Sequence, residues 1–174
     1  MEKGAYRILL CGFMGSGKTS VGQALAFRLR WDFVDTDLMI EKHQKKSIPQ
    51  IFQEQGEEAF RQMEAETARL LGRRKRVVIS TGGGFMTRPE TVAALKESSK
   101  GFESVIFLDC SFETCYQRIR TSDRPLVKKN TPEGLKEIFD RRRKLYLAAA
   151  DVVIPNEGPI SSTVEKILQK INIL

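Results

Sequence analysis

Histidine is nearly missing from this chain of 174 residues: His43 stands alone. Cysteine is scarce too, limited to Cys11, Cys110 and Cys115. An odd count with no Cys-x-x-Cys pair does not suit a disulfide framework, and it gives little support to a zinc site. Cys11 and Cys110 stand at or just past the ends of apolar runs, where a free thiol serves as a small hydrophobe. Long hydrophobic runs are also lacking. The stretch from Ile8 to Cys11 is far too short to cross a membrane. Met1 to Tyr6 lacks the basic-then-apolar layout of a secretion signal. A reducing, cytoplasmic setting is the expectation. Heptads, repeats and low-complexity tracts are absent as well.

What is abundant is positive charge. Lysine and arginine number 29 against 22 aspartates and glutamates, a net charge of +7. Such a balance favours anionic partners such as nucleotides or acidic metabolites. The densest basic run, Arg73 to Arg76, abuts an apolar stretch without interleaved aromatics. It reads as a solvated turn, so no nucleic-acid partner is expected.

The length fits one domain spanning residues 1–174. Residues 7–11 form an apolar run that ends at glycines, the mark of a strand buried on both faces. Residues 18–30 follow with Val21, Leu25 and Leu29 at helical spacing. The alternation then continues. Strands are predicted at 33–35, 77–81, 104–108 and 152–154. Helices are predicted at 38–71 (with breaks), 90–96, 112–120, 132–149 and 160–171, and a polar loop at 121–132. The pattern implies an α/β fold with a central parallel sheet of about five strands, covered by helices on both sides. Ligands in such sheets bind beyond the C-terminal strand ends.

Those ends carry the chemistry. Gly12-Phe13-Met14-Gly15-Ser16-Gly17-Lys18-Thr19 satisfies the phosphate-binding loop pattern in full. Its backbone N–H groups and the following helix N-terminus suit phosphate oxygens. Lys18 is expected at the β- and γ-phosphates and the Thr19 hydroxyl at Mg²⁺. Asp35 and Asp37 flank Thr36 after a short strand. If extended, both carboxylates share a face; the plain alternative is a helix cap. Gly82-Gly83-Gly84 ends another strand and leaves room for close approach. Arg61 has Glu64 three residues on, close enough to pair. Arg124 sits in the polar loop, where a guanidinium can close over transferring phosphate. Arg141, Arg142 and Arg143 form a second basic cluster ahead of Tyr146.

Taken in order, these motifs resemble the shikimate kinases over nearly the whole chain. The likeness includes the P-loop, Asp35-Thr36-Asp37, Ile51-Phe52 ahead of Gly56-Glu57 and Phe60-Arg61, the triple glycine, Arg124-Pro125-Leu126, and Arg142 with Leu145-Tyr146. The resemblance implies a three-layer P-loop kinase fold with a mobile lid at about 121–132 and a substrate-binding helical region at about 38–72. It implies Mg-dependent transfer of the ATP γ-phosphate to the 3-hydroxyl of shikimate, by a monomer. Lys18, Asp37 and Arg124 would be catalytic. Gly12, Gly15, Ser16, Gly17, Lys18, Thr19, Ser20, Arg120 and Arg124 would bind nucleotide, with Arg118 a rival to Arg120 and 156–159 bordering the adenine. Thr19 and Asp35 would hold the metal. Asp37, Arg61, Gly82, Gly83, Gly84 and Arg142 would bind shikimate, with Arg143 a rival to Arg142, and Phe52 and Phe60 as walls. A kinase of another small polyol acid, such as gluconate, is the alternative. The base-reading Asn-Lys-x-Asp of a GTPase does not occur.

Overall fold

The computed structural model describes residues 7–99 and 103–171; the N-terminal stretch read above for a secretion signal lies outside them. Five strands form one parallel sheet: β1 (Arg7–Cys11), β2 (Asp32–Asp35), β3 (Val77–Ser80), β4 (Glu103–Asp109) and β5 (Val152–Pro155). Their order is β2-β3-β1-β4-β5, which places β1 at the centre, between β3 and β4. Every residue of β1 is buried, the apolar run from Ile8 to Cys11 together with Arg7 at its start.

The two-residue period of the strand sorts β1 into two cores. Leu9 and Cys11 face a layer that includes Ala68, Leu71, Ala94, Leu95, Cys115, Phe139 and Tyr146. Ile8 and Leu10 face Val21, Leu25, Val164 and Ile167. Helices α1 (Lys18–Leu29) and α8 (Ile160–Lys170) therefore cover one face. Helices α3 (Ile48–Leu71), α4 (Pro89–Ser99), α5 (Phe112–Ile119) and α7 (Pro132–Ala149) supply the other. Full burial of each large aliphatic contributes about 1.5–3 kcal/mol. All three cysteines are free and buried within these layers.

Helix α2 (Thr36–Gln44) and the first half of α3 stand off the sheet around a third cluster of Ile40, Ile51 and Phe60. Ser47 and Gln50 form a reciprocal capping box at the start of α3, which satisfies two orphan backbone groups. Gly56 breaks α3 with φ 83° and ψ 173°. A side chain there would meet nothing within 4 Å, so the residue is needed for backbone conformation and not for space.

The expected α/β architecture and five-stranded sheet are present. The breaks expected within 38–71 are located, and two other local readings change. Residues 38–71 resolve into α2 and a kinked α3. The 121–132 loop contains a short helix, α6 (Pro125–Lys129), started by Pro125 at its first turn. The triple glycine leads directly into a 3₁₀ turn at Phe85–Thr87. Among the described residues no helix is long and apolar enough to cross a membrane.

Candidate active site

A cavity of about 800 Å³ opens across the C-terminal ends of the strands. Its floor is the loop between β1 and α1. Gly15 and Gly17 hold φ of 81° and 92°, and a Cβ at Gly15 would lie 2.7 Å from the Cys115 carbonyl. The loop thus takes its path only because side chains are missing there. Lys18 turns back over it, and Nζ donates to the carbonyls of Gly12 and Phe13 at 2.9 Å each. Burial pulls the Lys18 ammonium down to about 8, with Asp37 holding it up. Gly15, Gly17, Lys18, Thr19 and Ser20 line the cavity. Gly12 and Ser16 lie beneath it, Gly12 as an acceptor for Lys18 and Ser16 as a buried hydroxyl.

Asp35 and Asp37 both reach the cavity, but not as alternate residues of a strand. Asp35 ends β2 and caps α2, its Oδ1 accepting from the N–H groups of Asp37 (3.0 Å) and Leu38 (3.3 Å). Its other oxygen accepts from the Thr19 hydroxyl at 2.9 Å. The Ser80 hydroxyl is 3.4 Å from Thr19. Asp37 lies one residue inside the helix, so the cap is Asp35 and Asp37 is free for other work. Its Oδ1 is buried and has no hydrogen-bond partner among the described residues. Burial, reinforced by the negative charges of Asp35 and Glu64, pushes its carboxyl up to about 6.

The three glycines after β3 each face a different functional side chain. A Cβ at Gly82 would lie 2.4 Å from Asp37 Oδ1, at Gly83 3.4 Å from Arg142 Nη1, and at Gly84 2.5 Å from Arg61 Nη1. Gly82 is also anchored, its N–H donating to the Thr36 hydroxyl at 2.9 Å. Arg61 donates to Glu64 at 2.7 Å and to Glu57 at 3.0 Å. Burial works against its charge, and the two carboxylates outweigh it, so the guanidinium pKa rises. Phe52 and Phe60 pack at 5.0 Å between ring centroids and line the same wall.

The cluster on α7 resolves by direction. Arg142 points into the cavity. Arg143 points away and donates through Nε to Asp109 at 2.9 Å, leaving it no part in the site. Arg141 is exposed. Tyr146, used in the sequence only as a landmark, donates its hydroxyl to the Gly83 carbonyl.

Arg124 lines the cavity from the start of α6. Arg120 does not line it and is exposed. Its rival Arg118 does, donating to the Gly15 carbonyl at 2.8 Å. The expectation for Arg120 is corrected accordingly: helix α5 ends at Ile119, and Arg118 is the residue on the loop side. Glu57 and Ser80 were missed in the sequence, where each looks like an ordinary helix or strand residue. Asn156 and Gly158, from the stretch after β5, complete the rim.

A profile of the shikimate kinase family matches residues 14–172. The shikimate kinase of Persephonella marina is 46% identical over 153 residues, spanning 87% of this chain and 89% of its own length. That of Aquifex aeolicus is 40% identical over 163 residues, 93% of this chain and 94% of its own. The solved structure of shikimate kinase from Acinetobacter baumannii in complex with shikimate is 36% identical with a TM-score of 0.87, covering 97% of this chain and 93% of that one. A gluconokinase from Sinorhizobium meliloti, 18% identical with a TM-score of 0.58 over 95% of this chain and 90% of its own, shares the fold alone. Profile, relatives and fold agree, and the chain belongs to the shikimate kinase family.

Proposed function

We propose that this cavity transfers the γ-phosphate of ATP to the 3-hydroxyl of shikimate, with the roles that follow. The observation that carries the reading is Asp37: a buried carboxylate oxygen without a partner among the described residues shares one cavity with a P-loop lysine and the guanidiniums of Arg61 and Arg142. A polyol acid is the complementary ligand. Its hydroxyl satisfies Asp37, and its carboxylate meets Arg61 and Arg142, whose forked donors suit two oxygens. Gly82 to Gly84 let the ring lie against the backbone between those groups.

On the donor side the P-loop N–H groups and the α1 N-terminus receive the phosphates. Lys18 exchanges its two loop carbonyls for phosphate oxygens, and Arg124 and Arg118 approach from the lid side. Thr19, Asp35 and Ser80 offer oxygen only, a donor set that fits Mg²⁺. When bound there, Mg²⁺ would neutralise charge on the phosphates. Asp37 accepts the proton of the attacking hydroxyl. Its raised pKa of about 6 makes it a stronger base than an ordinary aspartate while leaving it ionised near neutrality. The remaining contribution is positioning, since phosphoryl transfer needs no covalent enzyme intermediate here.

The test is ADP release with Mg-ATP and a panel of acceptors. Turnover of shikimate, with none of gluconate or nucleoside monophosphates, is expected. Turnover of gluconate without shikimate overturns the reading.

A further inference from the structure

A P-loop can aim its N–H groups inward only if its carbonyls point outward and find donors there. In this chain those donors differ in kind. The Gly12 and Phe13 carbonyls take Lys18, which the proposed mechanism calls away to phosphate. The Gly15 carbonyl takes Arg118, which is exposed. The Ser16 carbonyl takes Asn156 Nδ2 at 2.6 Å. Asn156 is only 5% exposed and is fixed at every polar atom given a partner: its backbone N–H donates to the Asp109 carbonyl at 2.9 Å, and its Oδ1 accepts from the Thr163 hydroxyl at 2.6 Å. Thr163, on α8, is 1% exposed and lies outside the cavity lining.

The orientation of the amide follows. A carbonyl can only accept, so Asn156 must turn Nδ2 to Ser16 and Oδ1 to Thr163, whose hydroxyl donates. We propose that Asn156, oriented by Thr163, is a positioning residue that holds the P-loop in its phosphate-binding form. Asn156 thereby couples helix α8 to a loop residue 140 positions before it in the chain. This rests on the nucleotide reading of the P-loop given above.

Calorimetric titration with Mg-ADP and, separately, with shikimate tests it. Asn156→Asp replaces the donor with an acceptor facing a carbonyl, and should weaken Mg-ADP about tenfold, the effect of one lost hydrogen bond and an unpaired carbonyl. Thr163→Val keeps the shape, touches nothing in the cavity, and should weaken Mg-ADP in the same direction. Thr163→Ser should restore it. Shikimate affinity should stay unchanged in all three. Wild-type Mg-ADP affinity in Thr163→Val overturns the proposal, and so does an equal loss of shikimate affinity, which would mean a general structural role. If Asn156→Asp fails to fold, the Thr163 pair decides alone. Lys18→Ala separates the two levels: undiminished Mg-ADP binding there would mean that the nucleotide reading itself is wrong.

Discussion

At residue scale the triple glycine and Asp37 make the sharpest predictions. None of Gly82, Gly83 and Gly84 has a positive φ, so alanine is conformationally allowed and only space is at issue. Gly82→Ala should lower kcat by displacing the Asp37 carboxylate. Gly84→Ala should raise the shikimate KM by displacing the Arg61 guanidinium, with little change in kcat; steady-state kinetics of the two variants checks the split. Asp37→Asn should lower kcat by roughly 10²–10⁴-fold with nucleotide affinity retained. The same change should stabilise the ligand-free protein. The folded pKa of Asp37, about 6, lies above an ordinary aspartate, so the folded state holds the proton more tightly than the unfolded chain. Its charge therefore opposes folding fully above pH 6, and the penalty fades as pH falls toward 4. Melting temperatures should show Asp37→Asn ahead at pH 8, by at most about 3 kcal/mol, and level with wild type near pH 4. For the same reason kcat/KM of wild type should fall on the acid side of about pH 6. The Asp-x-Asp pattern was readable in the sequence, but its geometry was not. Only the first aspartate is extended, because its own side chain caps the helix that contains the second.

At the scale of elements the kink in α3 decides where Arg61 points. Gly56 sits in a region of backbone space that is essentially reserved for glycine. Gly56→Ala should cost about 1–3 kcal/mol without any steric clash, seen as a lower Tm, and should raise the shikimate KM by re-aiming the second half of the helix. Helix α7 is set differently: Arg143 pairs with Asp109 at the end of β4, Tyr146 with Gly83, and Arg142 is left to face the cavity. Arg142→Ala should therefore raise the shikimate KM about ten- to a hundredfold, as expected for lost hydrogen bonds to a charged group. Arg143→Ala, which breaks a part-buried pair outside the cavity lining, should change it far less. The central strands β1, β3 and β4 were legible because two-sided burial writes continuous apolar runs; the edge strands β2 and β5 are largely unburied and leave only short ones. The segment 121–132 was harder: α6 has no buried residue, so no periodicity marks it. The sequence favours Arg120 over Arg118 because the end of α5 at Ile119 is not legible in it, whereas the distance from Tyr146 is enough to favour Arg142 over its neighbour.

For the whole molecule, ligands and fold are linked. A nucleotide at a hundred times its Kd should add about 2.7 kcal/mol to stability, a rise of several degrees in Tm, and Lys18→Ala should abolish the rise. The sheet order also has a larger meaning. On the proposed reading most acceptor residues hang from β2, β3 and the α2–α3 pair at one edge, which carries its own small hydrophobic cluster, and Arg142 joins them from α7. The phosphate loop, Arg118 and Asn156 belong to the centre and the opposite edge. On that reading the two reactants meet over the seam between β3 and β1, with Arg142 the one acceptor residue that crosses it. The acceptor half is in effect an exchangeable cassette. A lineage could rewrite residues 36–64 and 82–84, together with position 142, for a new alcohol while the phosphate-handling half stayed as it is, and a grafted chimera is the laboratory form of the same step.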